Sequence, residues 1–179
     1  MLEHLHLHRS DLVAECYIAD KETREDRSLL RLRTNLVQDR TRVINRKHSL
    51  LDKYDHTNFY SKIFGIKGLR WLKDLKLTSN DQILLHEYIE QIEFLTRENK
   101  NIESQIRIDA SGNELVKISM SMAGIDYFSA MTISSGIGDI NRFRLPEKLV
   151  SWAGLCPSVH QSGNSLYMGR MKDGNKKVR

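Results

Sequence analysis

Apolar pairs recur every seven residues along the first third of this chain: Leu29/Leu30, Leu36/Val37, Val43/Ile44 and Leu50/Leu51. A repeat of that period, sustained over three intervals, is a coiled-coil signal. We read one long helix over residues 20–53. Asp20 stands where an N-cap belongs, and Glu22, Glu25 and Asp26 lie near the positive end of the helix dipole. Between the apolar pairs, where a seam would want more apolar side chains, stand Arg33, Arg40 and Lys47. Residues 27–47 hold seven Lys or Arg against one acid, Asp39. Two readings stay open: a solvated face with snorkelling stems, or a face that tracks phosphates or meets a partner.

A second long helix is expected over residues 79–108. Leu85, Tyr88, Ile92, Leu95, Asn99, Ile102 and Ile106 alternate by three and four, with Asn99 at an a position. A single buried asparagine there tends to fix register and partner number at some cost in stability. Residues 79–110 carry seven Asp or Glu and three Lys or Arg, so this helix is acidic where the first is basic. The two can pair within the chain, antiparallel through residues 54–77, and the heptads leave room for dimerisation. In that connector, Phe64, Leu69, Trp71, Leu72 and Leu75 read as a helical plug on the long helices, with Gly65 and Gly68 marking turns at its start. Its role is structural.

With only two prolines and ten glycines in 179 residues, a mainly α protein is expected. A net charge of +5 favours an anionic partner, nucleic acid first. Cys16 and Cys156 lie far apart with no signal peptide in view, which reads as reduced thiols in a cytoplasmic protein. No apolar run approaches membrane-span length. His4, His6 and His8 alternate near the start, but no cysteine or carboxylate pattern completes a metal site around them. Residues 1–10 read as the tail of a helix, followed by a short extended piece over 11–18.

Residues 109–113 (DASGN) should break the second helix, and an apolar helical pattern resumes over 114–133. Within it, MAGIDYFSAMTI resembles the turn of a helix-hairpin-helix element, in which backbone N–H groups at a helix start bind phosphate without reading sequence. Gly124 is the backbone contact such a turn would offer. Asp126 stands where a second glycine would let phosphate approach, so a purely structural hairpin is the competing reading. Residues 134–139 (SSGIGD) are expected to form a loop without the spacing of a nucleotide fingerprint. Pro146 can open a short helix that Gly154 closes. A serine-rich loop, LCPSVHQSGNS, follows, and then a basic tail with Arg170, Lys172, Lys176, Lys177 and Arg179 against Asp173. A hydroxyl-rich turn between a packed helix and a cationic run suits handling of a phosphodiester, although most serine–glycine loops are only loops. One short strand is expected at Ser165–Met171.

From Met122 to Arg179 the chain resembles the C-terminal domain of the DEDD-type insertion-sequence transposases. These are relatives of the pilin-gene invertases, in the insertion-sequence family numbered one hundred and ten. The landmarks are AGI followed by SA (Gly124 to Ala130), IGDINRF (Ile137 to Phe143), WAGLCPS (Trp152 to Ser158), then QSG, MGRM-K and GNKKVR. Upstream, AECYIAD, the basic helix and FGIKGLRWL are similar to the linker and coiled coil that this family places between its two functional halves.

The resemblance implies a DNA recombinase. Its N-terminal RuvC-like domain offers four acids for magnesium, and its C-terminal domain offers a serine that attacks a phosphodiester. Members carry a structured guide RNA that selects the target. By position the serine is Ser162, beside Gly163, with Arg170, Lys172 and Lys176 able to offset charge on the phosphorane. Ser158 and Ser165 are weaker nucleophile candidates, and His160 ranks as a loop residue before a base. Residues 1–19 then read as the end of the RuvC-like domain and linker, 20–108 as the coiled-coil hairpin, and 114–179 as the serine domain, truncated at its end. Gly136 and Asp126 depart from the family pattern, and the spaced acids are absent, so no metal site or cofactor is expected in this chain. The expectation is a truncated copy that binds DNA or a sister subunit, as a homo-oligomer or with a full-length transposase, without transposing alone. It would be nucleoid-associated when bound to DNA. The alternative is a DNA-binding or dimerisation adaptor with no chemistry.

Overall fold

The computed structural model describes residues 17–54, 66–163, 165–171 and 174. Expectations for residues 1–16, for Phe64 and Gly65, for the Leu69 side chain and for Lys172, Lys176, Lys177 and Arg179 lie outside them. The described chain is mainly α, as composition requires. It runs α1 (Lys21–Asp52), α2 (Ile66–Asp74), α3 (Ser79–Ser111), α4 (Glu114–Met120), α5 (Tyr127–Ile137), a 3-10 turn (Ile140–Arg142), α6 (Pro146–Trp152), β1 (Pro157–Ser162) and β2 (Ser165–Met171).

Helix α1 begins where its cap dictates: the Asp20 carboxylate accepts hydrogen bonds from the Thr23 N–H at 2.7 Å and the Thr23 hydroxyl at 3.0 Å. It pairs with α3 as an antiparallel helical hairpin. Arg33 reaches Glu103, Arg40 reaches Thr96 and Tyr54 reaches Asp81, so partner numbers fall on α3 as they rise on α1. Two apolar clusters close the ends of the pair. At one, Leu50, Leu51, Leu72, Leu85 and Ile89 are buried together. At the other, Leu30 and Ile106 join Ala110, Val116, Ala130 and Met131.

The question left open by Arg33, Arg40 and Lys47 has an intramolecular answer, because all three turn toward α3 or into the core. Arg33 donates to Glu103 at 2.8 and 3.2 Å and stacks on the Phe128 ring at 4.2 Å. Arg40 donates to the Thr96 hydroxyl at 2.8 Å. Lys47 is fully buried, with its ammonium nitrogen 3.4 Å from His48 Nε2. The basic helix therefore directs its central cations to its own acidic neighbour.

Several local expectations need correction. On α3 the buried positions are Leu85, Ile89, Ile92, Ile106 and Ala110, while Tyr88, Leu95, Asn99 and Ile102 are half-buried. A straight helix of 3.6 residues per turn drifts off a strict heptad, which brings Ile89 and Ala110 inward. Asn99 is not a fully buried register pin; its amide donates to Glu103 at 3.0 Å. The break expected over 109–113 is present and falls at its end: α3 continues to Ser111, and Asn113 caps α4 by accepting from the Val116 N–H. Gly68 marks no turn but lies buried inside α2, where burial of Leu72 outweighs the roughly 1 kcal/mol that glycine costs a helix. Residues 134–137 continue α5 rather than forming a loop, because their polar groups find partners on neighbouring helices.

Lys47 carries a prediction. Burial lowers its pKa to about 8 from 10.5, opposed by the charge of Asp52. The unfolded chain then binds more protons than the folded one between those two values, so stability rises with pH from about 8 to about 10.5. Replacing Lys47 with Met should flatten that rise and stabilise the fold at neutral pH by about 1–3 kcal/mol, read from urea unfolding at pH 7 and pH 10. A Lys47→Met protein that keeps the alkaline rise would sink this assignment.

Candidate functional site

The C-terminal part is anchored to the long hairpin through arginines. The last carbonyls of α5 lack intrahelical partners, as at any helix end. Arg27 from α1 donates to the carbonyls of Ser135 at 2.8 Å and Gly136 at 3.2 Å, and Arg142 donates to that of Ile137 at 3.2 Å. Two guanidinium groups thus cap the negative end of one helix. Inside the same helix, the Ser134 hydroxyl accepts from the Asn113 amide at 3.2 Å.

Arg142 also builds the step toward α6. Its guanidinium lies 4.3 Å from the Tyr17 ring, 4.2 Å from Phe143 and 5.1 Å from Trp152. The Tyr17 hydroxyl accepts from the Asp139 N–H at 3.0 Å, beside Gly138 with φ 64°. Helix α6 starts at Pro146 and gives way to Gly154 with φ 74°, the boundaries its sequence dictates.

From α6 the chain enters an antiparallel β-hairpin. This overturns the loop expected for LCPSVHQSGNS: Pro157–Ser162 forms a strand paired with Ser165–Met171. Pairing of Ser162 with Ser165 leaves a tight turn at Gly163, whose φ of 57° is a conformation that glycine adopts freely. The Ser158 hydroxyl donates to the Arg170 carbonyl at 3.1 Å and ties the base of the ribbon. Past β2, Gly174 lies against the backbone of Ala153 and Gly154, where a Cβ would collide, so the chain returns to the foot of the hairpin.

The residues singled out from sequence fall as follows. Ser162 is exposed at the end of β1, and Gly163 faces open space at the tip. Arg170 is exposed on β2. Gly124 occupies the turn between α4 and α5 with φ 89° and open space around it. The strands pack chiefly on each other, and Gly124 lies in a different turn of the chain. That turn is capped from within: the Asp126 carboxylate accepts from the Ser129 N–H at 2.8 Å at the start of α5. Hydrogen bonds from Ser129 hold the Asp126 carboxyl below its ordinary value. A phosphate would have to displace this carboxylate, so the structural reading of the helical hairpin is the better one. Leu85, Ile92 and Ile106 of the predicted seam are buried within the chain.

Arg27, Arg142 and Tyr17 were not singled out from sequence, because an arginine that caps a distant helix leaves no local pattern. The hairpin did leave one: Gly163 and Asn164 between two runs of alternating character is a two-residue turn signal. Among the described residues, no group of three or more His, Cys, Asp or Glu converges to hold a metal, and no helix is long and apolar enough to cross a membrane.

The anchoring of the hairpin carries a prediction at Gly138. A Cβ there would lie 2.5 Å from the Tyr17 hydroxyl and require a left-handed backbone. Gly138→Ala should cost about 1–3 kcal/mol in denaturant unfolding, and Tyr17→Phe about 0.5–1.5 kcal/mol. An unchanged Gly138→Ala midpoint would show that this contact does not hold the step.

Comparison with known proteins places this architecture. Residues 116–179, from α4 through the hairpin, match the family model described as Transposase IS116/IS110/IS902 family. A transposase for insertion sequence element IS1111A from Coxiella burnetii is 29% identical over 168 residues, covering 88% of this chain and 44% of that protein. A probable family 20 transposase from Pseudomonas aeruginosa is 23% identical over 86% of this chain and 47% of its own length. A putative transposase from Sinorhizobium fredii is 24% identical over 96% of this chain and 42% of its own length. The chain thus spans less than half the length of each of these relatives. Similarity to these transposases runs through the long helices as well as the hairpin, and residues 116–179 carry the match to the IS116/IS110/IS902 family model.

Proposed function

We propose that this chain is the DNA-handling, serine-bearing part of a transposase, with Ser162 the nucleophile toward a phosphodiester. The observation that supports the reading most directly is the position of Ser162 within the matched segment: exposed at the tip of a two-stranded ribbon, next to a positive-φ glycine. Such a tip lets a hydroxyl and a bare backbone approach phosphate closely, away from the bulk of the helices. Arg170 on the adjacent strand, with Lys172, Lys176 and Lys177 following in sequence, supplies positive charge for the DNA backbone.

The long hairpin is read as the support for this tip and the 114–179 segment as the working domain. The metal-assisted half of the family's chemistry needs spaced acids that the described residues do not bring together. This chain is accordingly proposed to bind DNA and to act together with a full-length transposase relative. A guide RNA and pairing with that relative belong to the same proposal. A non-catalytic adaptor using the Leu85–Ile106 seam is the less favoured reading, since that seam is largely occupied by α1.

The test is a denaturing gel of the chain with labelled DNA from the segments flanking its coding sequence, alone and with a full-length relative. Wild type should give a protein–DNA adduct that survives denaturation, while Ser162→Ala gives none and keeps non-covalent binding. Equal adduct from Ser162→Ala would overturn the serine assignment, and no binding by either protein would overturn the DNA reading. In a salt titration, Arg170→Ala should weaken binding uniformly across sequences and reduce the slope of log affinity against log salt by about one.

A further inference from the structure

Opposed residues of an antiparallel ribbon project to the same face, and alternate residues of a strand share it. The pairs Ser162–Ser165 and His160–Tyr167 therefore put two hydroxyls, an imidazole and a phenol on one face of the hairpin. Val159, Gln161, Leu166 and Met168 take the other. An independent contact agrees: a Cβ at Gly169 would clash with the Ser158 hydroxyl and lie 3.6 Å from His160 Cδ2, so Ser158 and His160 project together. The His160 and Tyr167 rings have centroids 6.4 Å apart at 37°, which leans the imidazole on the phenol. Ser162, His160 and Tyr167 are all exposed. Ser162 and His160 stand two residues apart on one strand face, about 7 Å between α-carbons, a gap that one bridging water or a turn of the imidazole spans.

We propose that His160 is the general base for Ser162, with Tyr167 as the residue that positions its ring. The proposal rests on Ser162 being the nucleophile. In the forward step the Ser162 oxygen forms a bond to phosphorus and its proton passes to His160. The bond from phosphorus to the leaving sugar oxygen breaks, and that oxygen takes a proton from the imidazolium or from water. In the reverse step a sugar hydroxyl attacks the phosphoserine, and the imidazolium returns the proton to the serine oxygen. The titratable side chains on the two strands are His160, Tyr167 and Arg170, and an imidazole is the side chain that most often serves as a general base.

The test uses a small alkyl fluorophosphonate on the full chain, where attack by serine forms the same oxygen–phosphorus bond and expels fluoride. Labelling is followed by intact mass and by mapping of the modified residue between pH 5 and 9. Wild type should be labelled at Ser162, faster as the imidazole loses its proton, and His160→Gln should slow this about 100-fold and remove the pH rise. Tyr167→Phe should keep the pH rise with a smaller loss of rate. The exposed His160 side chain makes replacement tolerable for folding, which circular dichroism of His160→Gln checks. Equal rates and pH profiles for wild type and His160→Gln would overturn the base while leaving the nucleophile standing. No label on Ser162 in wild type would overturn the activation proposed here, and the DNA-adduct assay separately decides whether Ser162 is the nucleophile.

Discussion

The structure depends on antiparallel pairing of one basic and one acidic helix, each more than thirty residues long. Two apolar clusters supply the burial at its ends, and between them buried Val43 and Ile92 share the seam with polar side chains. There Arg33 and Arg40 make directional bonds to Glu103 and Thr96. Apolar contact alone tolerates sliding along a seam, whereas a guanidinium fork bonded to one carboxylate does so only at one register. The charged positions that would weaken a symmetric coiled coil thus specify which helix meets which, in which direction and at what register.

That pairing propagates outward. Once α1 is set against α3, Arg27 stands where it can cap α5, and Leu30 and Ile106 form the floor on which Ala130 and Met131 pack. The capped end of α5 then positions the turn that carries Arg142, whose stack with Tyr17, Phe143 and Trp152 leads into α6. The hairpin at the end of this series packs chiefly on itself. A rigid base with a projecting ribbon is suited to a group that must reach into a large ligand. The exposed apolar side chains Val159, Leu166 and Met168 on the opposite face of that ribbon remain uncovered in the single chain.

Much of the fold was legible from local pattern. The cap at Asp20, the extent of the two long helices, the start of α6 at Pro146 and its close at Gly154 follow from residue types whose physical preferences act over a few positions. The misreadings share a cause. Gly68 and residues 134–137 looked like loops because glycine and serine disfavour helix when solvated, but buried contacts and distant hydrogen bonds outweighed that preference. The β1 strand was missed because its turn was read as a flexible serine loop, although Gly163 sits where a two-residue hairpin wants positive φ.

Sequence by itself determined the mainly α class, the two long helices and their opposite charge, and the landmarks of the transposase family around Ser162. Each is written in periodicity, composition or a short motif. Tertiary structure decided what those features do to one another. It turned the central cations of α1 inward to α3 and folded the serine-rich segment into a ribbon with His160 and Ser162 on one face. These outcomes depend on strand pairing or on partners 56 to 70 positions away, and no local pattern encodes which partner a charge will meet.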